Sequence, residues 1–190
     1  LREYVDGDDP RSVDWAVTAR MGRPFVKTYV EERDLTMMIL LDLSASMVEG
    51  GFGPWSARQT AARVAACLAL SATRNDDKVG MVAFGSAVEK HVPPGKGLRP
   101  VLRIVRVCLA LPGCEGHTDL ATALEHVSRA IKRHAVVFVV SDFLDPEGHD
   151  AGWRKALRLC ARRHDVVAVR LLTPELDPDL LRERGAGLLH

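Results

Sequence analysis

The chain has 190 residues, of which 47% are hydrophobic and 27% charged, with a formal charge of +1. That balance describes one globular domain with a short appendage. It excludes wholesale disorder and the basic surplus of a dedicated DNA or RNA binder. The longest apolar run, residues 64–70, falls well short of the roughly 20 residues of a membrane span.

The first 23 residues are polar and rich in Asp and Arg. Residues 25–30 then read as a short strand or extended arm. Asp6, Asp8 and Asp9 cluster around Gly7. An EF-hand needs Gly at its sixth position and an acid at its twelfth, and neither is in place. A solvated loop is the better reading.

From Leu35 strands and helices alternate. Residues 35–42 (LTMMILLD) form an apolar run, with Thr36 its one hydroxyl, that ends in an acid, as a buried parallel strand does. A Gly-rich loop, 49–54, leads to an Ala-rich helix expected over 55–74. Strands are expected over 78–84 and 87–92, the second an edge strand stopped by Pro93-Pro94. Helices follow over 97–111, running from Pro100, and over 119–133. A strand over 135–141, a helix over 151–163 and a strand over 166–172 complete the pattern. The alternation predicts an α/β fold: a mostly parallel, doubly wound, Rossmann-like sheet with helices on both faces. Three segments result: a polar arm (1–33), the α/β domain (34–173) and an irregular Pro- and Asp-rich tail (174–190).

Cys67, Cys108, Cys114 and Cys160 form no C-x-x-C pair, so a zinc knuckle is not expected. Cys67 and Cys160 read as small buried hydrophobes within helices. Reduced thiols favour a reducing, cytoplasmic setting for this chain. No signal peptide is visible. The chain begins at Leu1 rather than Met and reads as a fragment, so an upstream membrane anchor stays open.

In such a sheet, ligands bind beyond the carboxyl ends of the strands. Asp42 and Asp142 each follow a strand. Asp42 opens a D-x-S-x-S run with Ser44 and Ser46, and Thr118 precedes the helix at 119–133. All these donors are hard oxygens, which suit Mg²⁺ or Mn²⁺ better than zinc or copper. Each residue also has a plainer role available: Ser44 and Ser46 at a helix start, Asp142 at a turn.

The run Asp42-Leu43-Ser44-Ala45-Ser46, the later Thr118 and the strand-final Ser141-Asp142 resemble the metal-ion-dependent adhesion site of von Willebrand factor type A domains, over residues 34–172. Leu1-Arg2-Glu3-Tyr4, Gly7-Asp8, Arg11, Asp14-Trp15 and Ala19-Arg20 resemble the signature preceding that domain in a bacterial family catalogued as domain of unknown function fifty-eight. The resemblance implies a type A fold, a bound Mg²⁺, no enzymatic activity, and work beside a MoxR-type AAA+ ATPase. It implies that Ser44, Ser46 and Thr118 bind the metal directly, and Asp42 and Asp142 directly or through water. It also implies a protein partner that supplies an Asp or Glu to the metal. His117 departs from the family, standing where many relatives have Gly.

An enzyme alternative is a Mg²⁺-dependent phosphatase of the haloacid-dehalogenase type. There Asp42 is the nucleophile, Thr118 binds phosphate, Lys78 neutralises charge, and Asp142 with Asp145 holds the metal. That chemistry needs an acid two residues after the nucleophile, and Ser44 occupies the position. Neither G-x-S-x-G nor G-x-x-x-x-G-K-[ST] occurs, which argues against a serine hydrolase and a P-loop nucleotidase. The basic face of the helix at 151–163 reads as solvated, Trp153 as an anchor on the sheet, and Trp15 and Trp55 as contact aromatics.

Overall fold

The structure, a computed structural model, describes residues 1–26, 35–49, 51–52, 55–110, 113–114, 118–144 and 150–172. The chain divides into two compact units, Leu1–Arg33 and Asp34–His190.

In the first unit, strand β1 (Arg2–Glu3) pairs antiparallel with β2 (Phe25–Val26). Between them lie a 3-10 turn (Pro10–Ser12) and helix α1 (Trp15–Met21). The acids near Gly7 act as local fasteners. Both carboxylate oxygens of Asp8 bind the Arg2 guanidinium, at 2.6 and 2.8 Å, and Asp9 caps the 3-10 turn. Asp14 caps α1 by accepting from the N–H groups of Ala16 and Val17. Gly22 ends the helix at φ 67°, a left-handed conformation that costs glycine no steric strain. Residues 27–30 of the expected strand lie outside the described residues.

The second unit is built on strand β3 (Thr36–Asp42). Helix α2 (Ser46–Glu49) and a small hairpin, β4 (Gly51–Phe52) with β5 (Trp55–Ser56), follow it. Then come helix α3 (Ala57–Arg74), strands β6 (Lys78–Phe84) and β7 (Val88–Gly95), and helices α4 (Leu98–Ala110) and α5 (Leu120–Ala130). Strand β8 (Val136–Ser141), helix α6 (Asp150–Ala161) and strand β9 (Asp165–Arg170) complete the unit's described elements. The sheet order is β7-β6-β3-β8-β9, with β7 antiparallel and the other pairings parallel. The expected fold class is therefore the observed one.

Strand β3 is apolar without alternation because both its faces are covered. Ile39 and Leu41 pack under α3 and α4; Met38 and Leu40 pack under α5 and α6. The chain leaves β3 toward β6 and β7 on one side, then returns to β8 and β9 on the other. This reversal opens a crevice at the carboxyl ends of β3 and β8.

Several boundaries differ from those the sequence pattern predicts. Helix α3 begins at Ala57, because Ser56 and Gln59 form a capping box ahead of it and Trp55–Ser56 belongs to β5. Strand β7 continues through Pro93 and Pro94 to Gly95. It is an edge strand, where a missing N–H need not cost a ladder bond. Helix α5 stops at Ala130, with Ile131 extended as its C-cap. Cys67 is exposed rather than buried. The buried face of α3 is an alanine stripe, Ala57, Ala61, Ala65, Ala69 and Ala72, whose small side chains let the helix sit close to the sheet. Trp153 and Leu157 pack beside buried Cys160, as expected. The tail at 174–190 lies outside the described residues. No helix among the described residues is long and apolar enough to cross a membrane.

Candidate metal centre

Asp42 is the last residue of β3 and is fully buried. Its Oδ1 accepts the Ser44 N–H at 2.8 Å, a local turn that folds the chain back over the strand end. The turn sets the Ser44 and Ser46 hydroxyls 3.1 Å apart. Below them Met47 is wholly buried and fixes the start of α2 to the core.

The second loop delivers Thr118, whose Oγ1 donates to Asp42 Oδ2 at 3.4 Å. Two backbone bonds tie this loop down. Asp119 N–H donates to Gly85 O at 2.8 Å, and Cys114 N–H donates to Leu43 O at 2.7 Å. A Cβ on Gly85 would stand 2.8 Å from the Cys114 Cβ, so glycine is what admits the loop this close. Asp119, not Thr118, caps α5, accepting from both the N–H and the hydroxyl of Thr122. The Thr118 hydroxyl is thus not used as a helix cap.

The third contribution comes from the end of β8. Register pairs Leu41 with Val140, so Ser141 falls beside Asp42. Its hydroxyl donates to Asp42 Oδ2 at 2.5 Å and accepts the Phe143 N–H at 2.9 Å. Asp142 is buried and its Oδ1 accepts the Leu144 N–H at 3.0 Å. These two bonds hold Phe143 at φ 57°, an unusual conformation for a bulky residue.

Burial pushes the Asp42 carboxyl above its ordinary range, and the nearby charge of Asp142 adds to the shift. Hydrogen bonds from Ser141 and Ser44 oppose it. Every hydrogen bond to Asp42 among the described residues comes from a neutral group. Among the described residues, a buried carboxylate so placed lacks a cationic counterpart.

The donor set fits a small hard cation. Neighbouring corners of an octahedron with bonds of about 2.1 Å lie about 3 Å apart, close to the spacing of the Ser44 and Ser46 hydroxyls. Asp42, Ser44, Ser46 and Thr118 are joined by one hydrogen-bond network. Asp142 joins them through its field rather than through a hydrogen bond. Ser141, which carries no chemistry of its own in the sequence, is the residue that binds Asp42 from the neighbouring strand. Its signal was the strand-final position next to Asp142. His117 and Asp145 lie outside the described residues.

Lys78 does not serve this site. It opens β6 opposite Thr36, whereas Asp42 pairs with Phe84 at the other end. Six residues of strand, about 20 Å, separate the two positions. The phosphatase arrangement that needs Lys78 beside Asp42 is not what the sheet builds.

Comparison with known proteins agrees with this architecture. An uncharacterized protein of Mycobacterium bovis is 32% identical over 177 residues, covering 91% of this chain and 54% of its own length. The chain thus spans about half the length of that curated relative. Among solved structures, the conserved hypothetical protein BatB of Bacteroides thetaiotaomicron superposes with a TM-score of 0.59 at 20% identity, over 74% of this chain and 68% of that one. Proximal thread matrix protein 1 of the mussel byssus, in a structure described as having a zinc-occupied MIDAS motif, superposes with a TM-score of 0.50 at 19% identity, over 75% of this chain and 40% of that one. At these identities the likeness is one of fold, the von Willebrand factor type A-like α/β sheet. The family described as Protein of unknown function DUF58 matches residues 1–180, and the chain belongs to it.

Proposed function

We propose that this domain is a metal-dependent protein-binding module without catalytic activity of its own. The observation that carries the reading is Asp42: a fully buried carboxylate, bonded only to neutral donors among the described residues, beside two hydroxyls at octahedral spacing. In this reading Ser44, Ser46 and Thr118 hold Mg²⁺, or Mn²⁺, directly. Asp42 and Asp142 hold it directly or through water. Neutral hydroxyls leave much of the ion's charge unquenched, so an Asp or Glu from a partner protein completes the site. The zinc-occupied motif described for the mussel protein supports a divalent ion in this fold. The hydroxyl-rich donor set supports Mg²⁺ over zinc here.

Both oxygens of Asp42 are engaged and the side chain is buried, which disfavours it as a nucleophile. The family resemblance supports an adaptor role beside a MoxR-type AAA+ ATPase in a bacterial chaperone-like assembly. The free thiols support a reducing, cytoplasmic side for this domain.

Calorimetry with Mg²⁺, Mn²⁺ and Zn²⁺ tests the site, and partner capture in Mg²⁺ against EDTA tests its use. The expected result is Mg²⁺ binding that Asp42→Ala abolishes, with capture lost in EDTA. Unchanged metal affinity in the folded Asp42→Ala protein would rule the site out. Metal-dependent turnover of a phosphomonoester would rule out the non-enzymatic reading.

A further inference from the structure

A groove of about 530 Å³ runs between α3 and α4. Ala62 and Ala66 of α3 and Val105, Cys108 and Leu109 of α4 line it. Small residues on α3 make it a depression, and larger ones on α4 form its far wall.

Helix α4 continues this wall along its length. Leu98, Leu102, Val105 and Leu109 recur at intervals of four, three and four, the spacing of a helix-pairing seam. The three leucines are exposed, Leu98 by 56%, Leu102 by 57% and Leu109 by 79%. The residues that fix α4 to the sheet are a different set: Val101, Ile104 and Cys108. The leucine stripe is therefore not needed to hold α4 in place. From Leu98 to Leu109 it extends about 16 Å, or three turns.

Charge brackets the stripe on both sides. At about 100° per residue, Arg99, Arg103 and Arg106 lie together roughly a quarter turn round α4 from the leucines. Across the groove stand Arg58 and Arg63 of α3. Neither helix contains a single Asp or Glu, although the whole chain is nearly neutral at +1. None of these five arginines takes part in the ion pairs among the described residues. Arg63 instead lies over the exposed ring of Trp55, 3.5 Å from its centre.

We propose that the α3–α4 face is a docking surface for an acidic amphipathic helix of a partner protein. The partner's apolar residues meet Leu98, Leu102 and Leu109, and its flanking carboxylates meet arginines on both walls. A seam spaced for helix pairing favours a helix over an extended strand. Arginines on both margins favour acidic flanks and exclude basic ones. This surface goes beyond the metal site and does not depend on it.

The test uses a fluorescein-labelled synthetic helix of about 15 residues, Leu at three- and four-residue spacing and Glu elsewhere. Binding is followed by fluorescence anisotropy and mapped by amide chemical shifts on the full chain. The expected result is micromolar affinity, shifts confined to α3 and α4, and affinity that falls about tenfold at high salt. Replacing Glu by Lys in the peptide should abolish binding. Leu102→Asp and the pair Arg58→Glu/Arg103→Glu should each weaken it about tenfold or more, with the amide spectrum confirming a folded protein. EDTA should change nothing.

Absence of binding, shifts mapping to the strand-end loops, or full affinity in the folded variants would overturn the proposal. An affinity lost in EDTA would also overturn it, by assigning the peptide to the metal site. Sedimentation with anionic phosphatidylglycerol vesicles is the remaining arm. Vesicle binding that Leu102→Asp abolishes, with no peptide binding, would make this a membrane-facing surface and the proposal wrong.

Discussion

Ser141 donates a 2.5 Å hydrogen bond to Asp42, its partner across 99 positions of sequence. The bond closes two adjacent strand ends into one site. Ser141→Ala removes a donor from a buried carboxylate and an acceptor from the Phe143 N–H. Hydrogen bonds to charged groups contribute about 1.5–3 kcal/mol, and a loss of that order is expected in urea denaturation. Groups that orient metal ligands typically alter affinity by about 10–100-fold. Calorimetry of Ser141→Ala should show Mg²⁺ affinity lowered within that range. Unchanged denaturation and Mg²⁺ affinity would mean that Asp42 is held by Ser44 and Thr118 alone.

The strand ends are legible in the sequence because a continuous apolar run that stops at an acid marks a buried strand leaving its sheet. Asp42 and Asp142 follow such runs, and the D-x-S-x-S spacing supplies Ser44 and Ser46. Ser141 is legible only as the neighbour of Asp142 in the strand-final pair, and its bond to Asp42 is not. Its role comes from the Leu41–Val140 register, a long-range pairing that no local pattern encodes. The start of α3 is ambiguous for a related reason: Trp55 suits a helix as well as a strand, and the Ser56–Gln59 capping box decides the matter. Cys67 reads as buried because α3 is apolar around most of its circumference. The choice of buried face falls to the alanines, which pack closer to the sheet.

Gly85 sets how near the Thr118 loop approaches. Gly85→Ala forces its new Cβ to within 2.8 Å of Cys114 Cβ unless the backbone moves. Overpacking of this kind costs about 1–3 kcal/mol, and the displaced loop should carry Thr118 away from Asp42. Both the melting temperature and Mg²⁺ affinity should fall. Adding Cys114→Gly removes the clashing atom and should recover Mg²⁺ affinity, whereas Cys114→Ala, which retains its Cβ, should not. Equal recovery by both would show that the sulfur alone was the obstacle.

Thr118 and Asp119 are neighbours with separable duties. Asp119 caps α5 through Thr122, so Asp119→Ala should cost about 1 kcal/mol of stability and disturb Mg²⁺ affinity less. Thr118→Ala should do the reverse, lowering Mg²⁺ affinity with little change in metal-free melting temperature. Paired calorimetry and thermal melts of the two variants separate these outcomes. A large metal-free destabilisation by Thr118→Ala would make the residue a structural one.

His164 provides the acid sensitivity of the far edge of the sheet. It is buried, and neither ring nitrogen has a hydrogen-bond partner among the described residues. Burial lowers its pKa, with His134 and Arg163 adding to the effect. The folded protein therefore binds a proton here less readily than the unfolded chain, whose histidine titrates near 6.5. Stability should fall as pH drops below about 6.5 and level off only below the depressed folded value. His164→Phe should flatten that part of the profile in urea denaturation between neutral and mildly acidic pH. An unchanged slope would assign the acid sensitivity elsewhere.

Asp42→Asn separates the cost of the buried charge from the benefit of the ion. The raised carboxyl pKa means that ionised Asp42 destabilises the metal-free fold. The penalty is fully present above the folded pKa. It disappears as pH falls below the unfolded value of about 3.9. An asparagine keeps an oxygen for the Ser44 N–H and turns its amide toward the Ser141 and Thr118 hydroxyls, which can rotate to accept. In EDTA at neutral pH, Asp42→Asn should therefore melt at or above the temperature of the unsubstituted protein. The difference should shrink on acidification, because protonation neutralises the native carboxyl. Mg²⁺ should reverse the order: a ligand that binds only the folded state stabilises it by an amount that grows with the logarithm of its concentration relative to Kd, and the amide gives up the anionic charge that holds the ion. Thermal melts in EDTA and in Mg²⁺, at neutral and mildly acidic pH, contain the whole test. If Mg²⁺ raised both melting temperatures equally, Asp42 would not be part of a metal centre. If the variant melted far lower in EDTA, its hydrogen bonds would outweigh the burial of its charge.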